Sequence, residues 1–421
     1  MPTVTPPHAA VPGPGRARVV LVLGTAQTLA WASTFYLPAM LAAPMARDLG
    51  VAAPTVYALL SMALVVSALL GPLAGRLIDH HGGRPVLMAC SAGFAFGLVV
   101  LATAQGPVTL TLAWLLLGVA MGFGLYDAAF ATLVRLYGPD ARTAITGITL
   151  LAGFASTVGW PLTAWLDAQW GWRVACGTWA LLHLAMALPL NAMLPRRLGA
   201  AARLATPAAK VAQAGPPAVE IAPTAGVRPR RSFAAREALL AAIFALMSIV
   251  STGIATHLPA VLQAAGATLA VAVATAALMG PAQVAARLLE LALMRRRSPL
   301  LTARAAALGH PLAVGLLVVL GPLGALPFAV VHGLGNGLVT IVRGTLPLAL
   351  FGAAGYGVRQ GWLTLPARLL GALAPWLFGL ALARWGLGAL GLSTALALAG
   401  FAGLALLRLP PAASGAVAVA D

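Results

Sequence analysis

Asp127, in the segment GLYDAAF, is the one acidic side chain that falls deep inside a long apolar run, in a 421-residue chain with only 9 acidic residues. A charge at the centre of a membrane helix costs about 2.5–3.5 kcal/mol on insertion scales, so a carboxylate kept there reads as a proton acceptor or a cation's partner. The alternative is structural: pairing with an arginine or capping a broken turn. Arg343, in GNGLVTIVR, lies in a second apolar run. Its planar guanidinium suits bidentate contact with a carboxylate, on Asp127 or on an anionic solute; alternatively it snorkels to the membrane interface. Gln27, Trp31, Tyr36, Tyr126 and Asn336 add polar and stacking groups, and His183, His257 and His332 add imidazoles that titrate near neutral pH. The same residues also suit helix–helix hydrogen bonding and an interfacial aromatic belt. Together they describe proton transfer and solute binding rather than bond making. The sequence has no GxxxxGK[ST] phosphate loop, no HExxH pair and no GxSxG turn, and Cys90 and Cys176 lack metal-site spacing. Neither an enzyme nor an ATP-driven pump is expected, and no cofactor or metal.

Helices must hold these side chains. Hydrophobic residues make up 61% of the sequence and charged residues 8%, against about 25% charged in a soluble domain. Runs long enough to cross a bilayer core of about 30 Å recur from end to end. Twelve are placed near 19–43, 55–75, 85–105, 108–134, 143–166, 174–194, 238–262, 266–286, 300–320, 322–350, 361–383 and 387–407. In hydrocarbon each backbone polar group must be satisfied within its segment, and alternating strand patterns are absent, so the runs are helices. The fold class is an all-α membrane protein. Residues 195–236, rich in Pro and Ala with eight basic side chains, read as a flexible cytoplasmic linker. It separates six-helix halves at 19–194 and 237–408, with a leader at 1–18 and a tail at 409–421.

The halves echo each other. Gly122–Phe130 matches Gly335–Arg343, Gly71-Pro72 matches Gly280-Pro281, and Trp160–Gly171 matches Ala374–Gly386. Weak internal symmetry of this kind accompanies a solute site between two halves, in a central cavity. The net charge of +17 first suggests nucleic acid. Its placement does not: Arg47, Arg173 and Arg384 alone fall opposite the N-terminal side, which is the positive-inside pattern. Both termini are expected in the cytoplasm, with anionic lipids as the ligand of the basic loops, no nucleic-acid partner, and a monomer. Arg287 and Glu290, three apart on one helical face, are expected to pair.

GRLIDHHGGRPVL, Gly75–Leu87, falls between the second and third helices. Its glycines allow a tight turn and close helix approach, and an aspartate with arginines can clamp helix ends. The stretch resembles the G-x-L-x-D-R-x-G-R-R loop of the major facilitator superfamily, which Gly75, Leu77, Asp79, Gly82 and Arg84 match. Gly171-Trp172-Arg173 resembles the GWR that often links the fifth and sixth helices there. The chain departs from the family at Gly118, where an arginine is common, and at Trp160, which interrupts a glycine-proline signature. The resemblance implies a twelve-helix secondary transporter of the bacterial inner membrane that works by rocking halves, with Asp79, Arg84 and Arg142 as a cytoplasmic gate. It favours His257 among the histidines, because the family's seventh helix usually lines the cavity. The expected function is proton-coupled uptake or exchange of a small organic anion. Proton-coupled export of drug-like compounds is the alternative, and a non-transporting receptor represents a different class.

Overall fold

The computed structural model describes residues 15–137, 141–195, 231–290, 292, 298–351 and 356–408. Most of the leader and linker and the whole tail lie outside these residues. Among the described residues, nine helical runs are long and apolar enough to cross a membrane. Three of them, Thr143–Ala192, Pro299–Phe351 and Leu363–Leu406, hold 50, 53 and 44 residues. At about 1.5 Å per residue each far exceeds one crossing of a core of about 30 Å. Each turns back at a glycine with positive φ, namely Gly171 (83°), Gly321 (56°) and Gly386 (53°), where a Cβ would be strained. Three double crossings and six single ones make twelve transmembrane helices.

In chain order these are α1 (Arg16–Ser33 with Pro38–Leu49), α2 (Ala53–His81), α3 (Gly83–Ala102) and α4 (Pro107–Gly124 with Tyr126–Tyr137). Next come α5 and α6, built from Ala141–Ala152, Ala155–Leu182 divided at Gly171, His183–Ala187 and Leu188–Ala192. The second half holds α7 (Arg231–Ala264), α8 (Leu269–Ala277 with Met279–Leu289), α9 (Pro299–Leu320), α10 (Ala325–Phe351), α11 (Tyr356–Trp385) and α12 (Ala389–Leu406). Odd helices rise from the face that holds Gly15 and Arg408, the terminal face, and even helices return to it from the far face.

Lipid removes the hydrophobic drive between helices, so small residues that admit close approach hold the bundle together. A Cβ on Gly118 would sit 2.8 Å from the Ala63 Cα of α2, and one on Gly122 would sit 3.3 Å from the Ser67 Cα. In the second half Gly333 and Gly337 of α10 meet Met279 and Gln283 of α8 in the same way. Gly122 therefore corresponds to Gly337, not to Gly335 as the motif echo has it. The same contacts match Ala63 with Met279 and Ser67 with Gln283, which sets Gly71 opposite Arg287 in the repeat and breaks the echo between Gly71-Pro72 and Gly280-Pro281. The symmetry is real, but close packing sets its register, and a short glycine motif can be matched two residues out.

The halves meet along two seams, α2 with α11 and α5 with α8, which exchange when the halves exchange. In the first half the far face is clamped by the GWR link. Arg173 pairs with Asp48 at the end of α1, its guanidinium stacks on Trp172 at 4.2 Å, and its Nη2 donates to the Ala104 carbonyl at 2.8 Å. Trp172 Nε1 donates to the same Asp48 at 3.1 Å.

Candidate functional site

The site begins at a defect in α4. Leu125 is extended (φ −87°, ψ −164°) between the two helical segments, and this interrupts the helical hydrogen-bond ladder. Gln27 of α1 serves the break: its Nε2 donates to the Gly124 carbonyl at 2.7 Å, in a buried position. The helix restarts at Tyr126 and places Asp127 in its first turn, where unpaired N–H groups and the helix dipole favour negative charge. Arg368 of α11 meets Asp127 across the halves. Its Nη1 donates to Oδ2 at 3.1 Å and its Nη2 to Oδ1 at 3.2 Å, a bidentate pair. Both side chains are about half exposed.

The pair stands in a cavity of about 350 Å³ lined also by Trp31, Phe35, Tyr126 and Arg343. Trp31 packs against Tyr126 at 4.9 Å and against Phe35 at 5.4 Å between ring centroids. The cavity ends at a seal. Ser61 Oγ of α2 accepts the Trp376 N–H of α11 at 3.2 Å. His257 of α7 lies 2.8 Å from the Pro375 carbonyl, with its ring 3.8 Å from that of Tyr57. Beyond the seal is a second recess, of about 430 Å³, with Arg47, Tyr57, Asp167, His257 and Gln263 in its wall. On α2, α7 and α11 the cavity residues Ser67, Ser248 and Arg368 lie on the terminal side of the seal, and the recess residues Pro54, Gln263 and Ala383 lie on the far side. The charged cavity thus belongs to the terminal face.

Two pseudo-symmetric halves, a cavity between them and a seal across it are the parts of an alternating-access device. The family model described as Major Facilitator Superfamily matches residues 23–375. The chain belongs to the Major Facilitator Superfamily. It is a multi-pass membrane transporter and not an enzyme. The transporter is 28% identical over 176 residues to the gallate transporter of Pseudomonas putida, across 41% of this chain and 39% of that one. It is 31% identical over 139 residues to the multidrug resistance protein MdtH of Cronobacter sakazakii, across 32% and 34%. Each match spans well under half of the relative's length. In fold it resembles a D-xylose-proton symporter with a TM-score of 0.71 and 13% identity, covering 94% of this chain and 98% of that one.

In this superfamily member the fold brings Trp31, Tyr126, Asp127 and Arg343 to one cavity, with Gln27 behind them at the α4 break. The sequence reading sets Arg343 opposite Asp127; the fold sets Arg368 there. Arg368 is absent from that reading, although LTLPARLLGALAPW buries it in apolar sequence as deeply as Arg343. His257 is in the seal, not beside Asp127. Asn336 lines a small void of about 20 Å³ inside the second half, with His310, His332 and Ser251. It is seven residues from Arg343, on the same side of α10 but about 10 Å further from the terminal face, where Met247 and Ser251 of α7 cover it. His183 Nε2 lies 2.8 Å from Ser33 Oγ and His332 Nδ1 lies 3.1 Å from His310 Nδ1, each with its other ring nitrogen buried and without a partner among the described residues, and neither lines the Asp127 cavity.

The gate also differs from expectation. GRLIDHHGGRPVL is not a loop, because α2 runs through Gly75 and Asp79 to His81 and the chain turns on Gly82 alone (φ 88°, ψ 159°). Gly83 then packs directly on Thr132 of α4. The guanidinium that reaches Asp79 is that of Arg135, also from α4, and it takes the backbone carbonyl, capping the negative end of α2. Arg84 is partly buried on α3, and the Arg142 side chain lies outside the described residues. Arg287 donates to the Thr149 carbonyl at 2.9 Å and to Thr340 Oγ1 at 3.4 Å. It ties α8 to α5 and α10 rather than pairing with Glu290.

Proposed function

We propose that this transporter carries a small organic anion, an aromatic carboxylate in the simplest case, by proton-coupled uptake or exchange across the bacterial inner membrane. The observation that carries the reading is the charge of the cavity. Among the described residues of the cavity wall, Arg343 and Arg368 stand with one carboxylate, that of Asp127, beside Trp31, Phe35 and Tyr126. A solute carboxylate balances the excess positive charge, and its ring can stack on the wall. One relative's name, gallate transporter, fits the same chemistry. Arg16, Arg18, Arg76, Arg84, Arg135, Arg236, Arg304 and Arg408 lie toward the terminal face, against Arg47, Arg173 and Arg384 toward the far face. This asymmetry supports a cytoplasmic terminal face and an inward-open state. In the transport cycle the halves rock along the α2–α11 and α5–α8 seams, opening the seal and closing the cavity.

The test is flux. Purified protein in proteoliposomes with a pH-sensitive dye inside is given gallate, benzoate, benzyl alcohol or a cationic dye under an imposed pH gradient. Proton movement with the two acids and not with the alcohol is the expected result. Movement with the cationic dye alone would establish a drug exporter in its place, and the absence of any flux from folded protein would favour a receptor.

A further inference from the structure

We propose that the recess on the far face is a binding site for a zwitterionic amine-carboxylate of amino-acid size, and that a solute seated there holds the seal shut. The site is separate from the Asp127 cavity and stands whatever solute that cavity carries.

Two charges in its wall carry the assignment. Arg47, in the last turn of α1, and Asp167 of α5 both line the recess of about 430 Å³. Arg47 is exposed and Asp167 is partly buried. Among the described residues neither takes part in an ion pair or a hydrogen bond. The Arg47 charge is nevertheless near enough to act on the Asp167 carboxylate. The carboxylate next to Arg47 in the chain, that of Asp48, is taken by Arg173 and Trp172. A cation and an anion that sense each other without touching leave a gap between opposite charges. A solute carboxylate on Arg47 and a solute ammonium on Asp167 fill it, each by charge-assisted hydrogen bonds. Gln263 of α7 adds an acceptor: its Nε2 donates to the Pro259 carbonyl at 3.4 Å, and its Oε1 accepts no hydrogen bond among the described residues.

The rest of the recess provides room and an apolar floor. Ala43, Ala53, Ala260 and Ala383 line it with side chains too small to fill it. At the floor Tyr57 and His257 lie ring against ring at 3.8 Å, with Gly379 packed on both. Tyr57 Oη and His257 Nε2 are already bonded to the Pro38 and Pro375 carbonyls, at 3.2 Å and 2.8 Å, so the charged contacts fall to Arg47 and Asp167. A mostly apolar concavity with a few convergent polar groups is the usual form of a small-molecule site.

The walls belong to both halves. Arg47, Tyr57 and Asp167 come from the first, and His257, Gln263 and Ala383 from the second. Opening the seal parts these walls, so a bridging solute has contacts in the closed arrangement that it loses in the open one. A ligand with that difference in affinity shifts the equilibrium toward the closed seal.

Equilibrium binding of L-phenylalanine to the full chain in detergent tests the site. The matched probes are phenylpropionate, which lacks the ammonium, and phenylethylamine, which lacks the carboxylate. Phenylalanine should bind about tenfold more tightly than either, the worth of one hydrogen bond to a charged group. D167N should erase the preference over phenylpropionate, and R47Q the preference over phenylethylamine. A383F, which fills the recess and keeps both charges, should abolish phenylalanine binding; if D167N does not fold, A383F and R47Q decide. Amide hydrogen exchange at Trp376 reports the seal, because that N–H donates to Ser61 Oγ. Saturating phenylalanine should slow it in the wild type and leave it unchanged in A383F. Absence of a preference for the zwitterion in folded wild type would overturn the assignment. Loss of binding in D127N but not in D167N would also overturn it, by seating the amino acid in the Asp127 cavity. Binding that leaves exchange at Trp376 untouched would refute the hold on the seal.

Discussion

Replacing Gly280 by alanine should shift this transporter out of the conformation described here. A Cβ built on Gly280 of α8 sits 2.6 Å from the Gly153 carbonyl oxygen and 3.5 Å from the Phe154 Cα on α5, and it also strikes Thr157 Oγ1. Thr157 Oγ1 is itself held, donating to the Ala277 carbonyl at 2.7 Å. Ordinary Cβ contact begins at 3.4 Å, so the backbones must part by 0.8 Å, the difference between those two figures. Overpacking of this kind costs about 1–3 kcal/mol. Because the contact joins the two halves, the cost falls on this arrangement of the seam. An imbalance of that size moves a two-state equilibrium roughly fivefold to 150-fold. Spin labels at T55C and A264C, two exposed far-face positions on α2 and α7, would report the change by pulsed electron resonance as a new long-distance population in G280A. Gly177→Ala is the control, since nothing lies within 4 Å of its Cβ. Unchanged distances together with an unchanged Tm in G280A would mean that α5 absorbs the methyl locally, and the argument that this seam governs the conformation would fail.

Two further outcomes separate buried from exposed polar contacts. Gln27→Leu removes the donor on the Gly124 carbonyl at the α4 break. Stranding that buried acceptor should cost about 1–3 kcal/mol, read as a lower Tm with faster hydrogen exchange just after Leu125; a wild-type Tm would show that the break needs no partner. Asp48→Asn weakens the Arg173 pair on the far face, whose side chains are 46% and 42% exposed. The loss should be small because solvent screens both charges, and a fall in Tm larger than that of Gln27→Leu would contradict this ranking.

Much of this protein was legible in its sequence. Hydropathy read against bilayer thickness yields twelve helices, because a crossing is a property of one local segment. The isolation of Asp127 in GLYDAAF marked the carboxylate of the cavity for the same reason: an ionisable group within such a run is costly wherever the run packs. Gly171-Trp172-Arg173 likewise announced a far-face link. Other features depended on which surfaces meet. Arg343 and Arg368 are equally apolar in context, and only the packing of α11 against α2, which carries Arg368 across the cavity from α4, gave Asp127 a partner 241 residues away. The same packing put His257 in the seal and Asn336 in a void of the second half, and it shifted the echo of Gly122 from Gly335 to Gly337. The break at Leu125 was hidden because no proline marks it; Gln27, on another helix, is what satisfies it. Local sequence set where the chain crosses the membrane and which groups are costly to bury. Close contact between helices far apart in sequence decided which of those groups face one another.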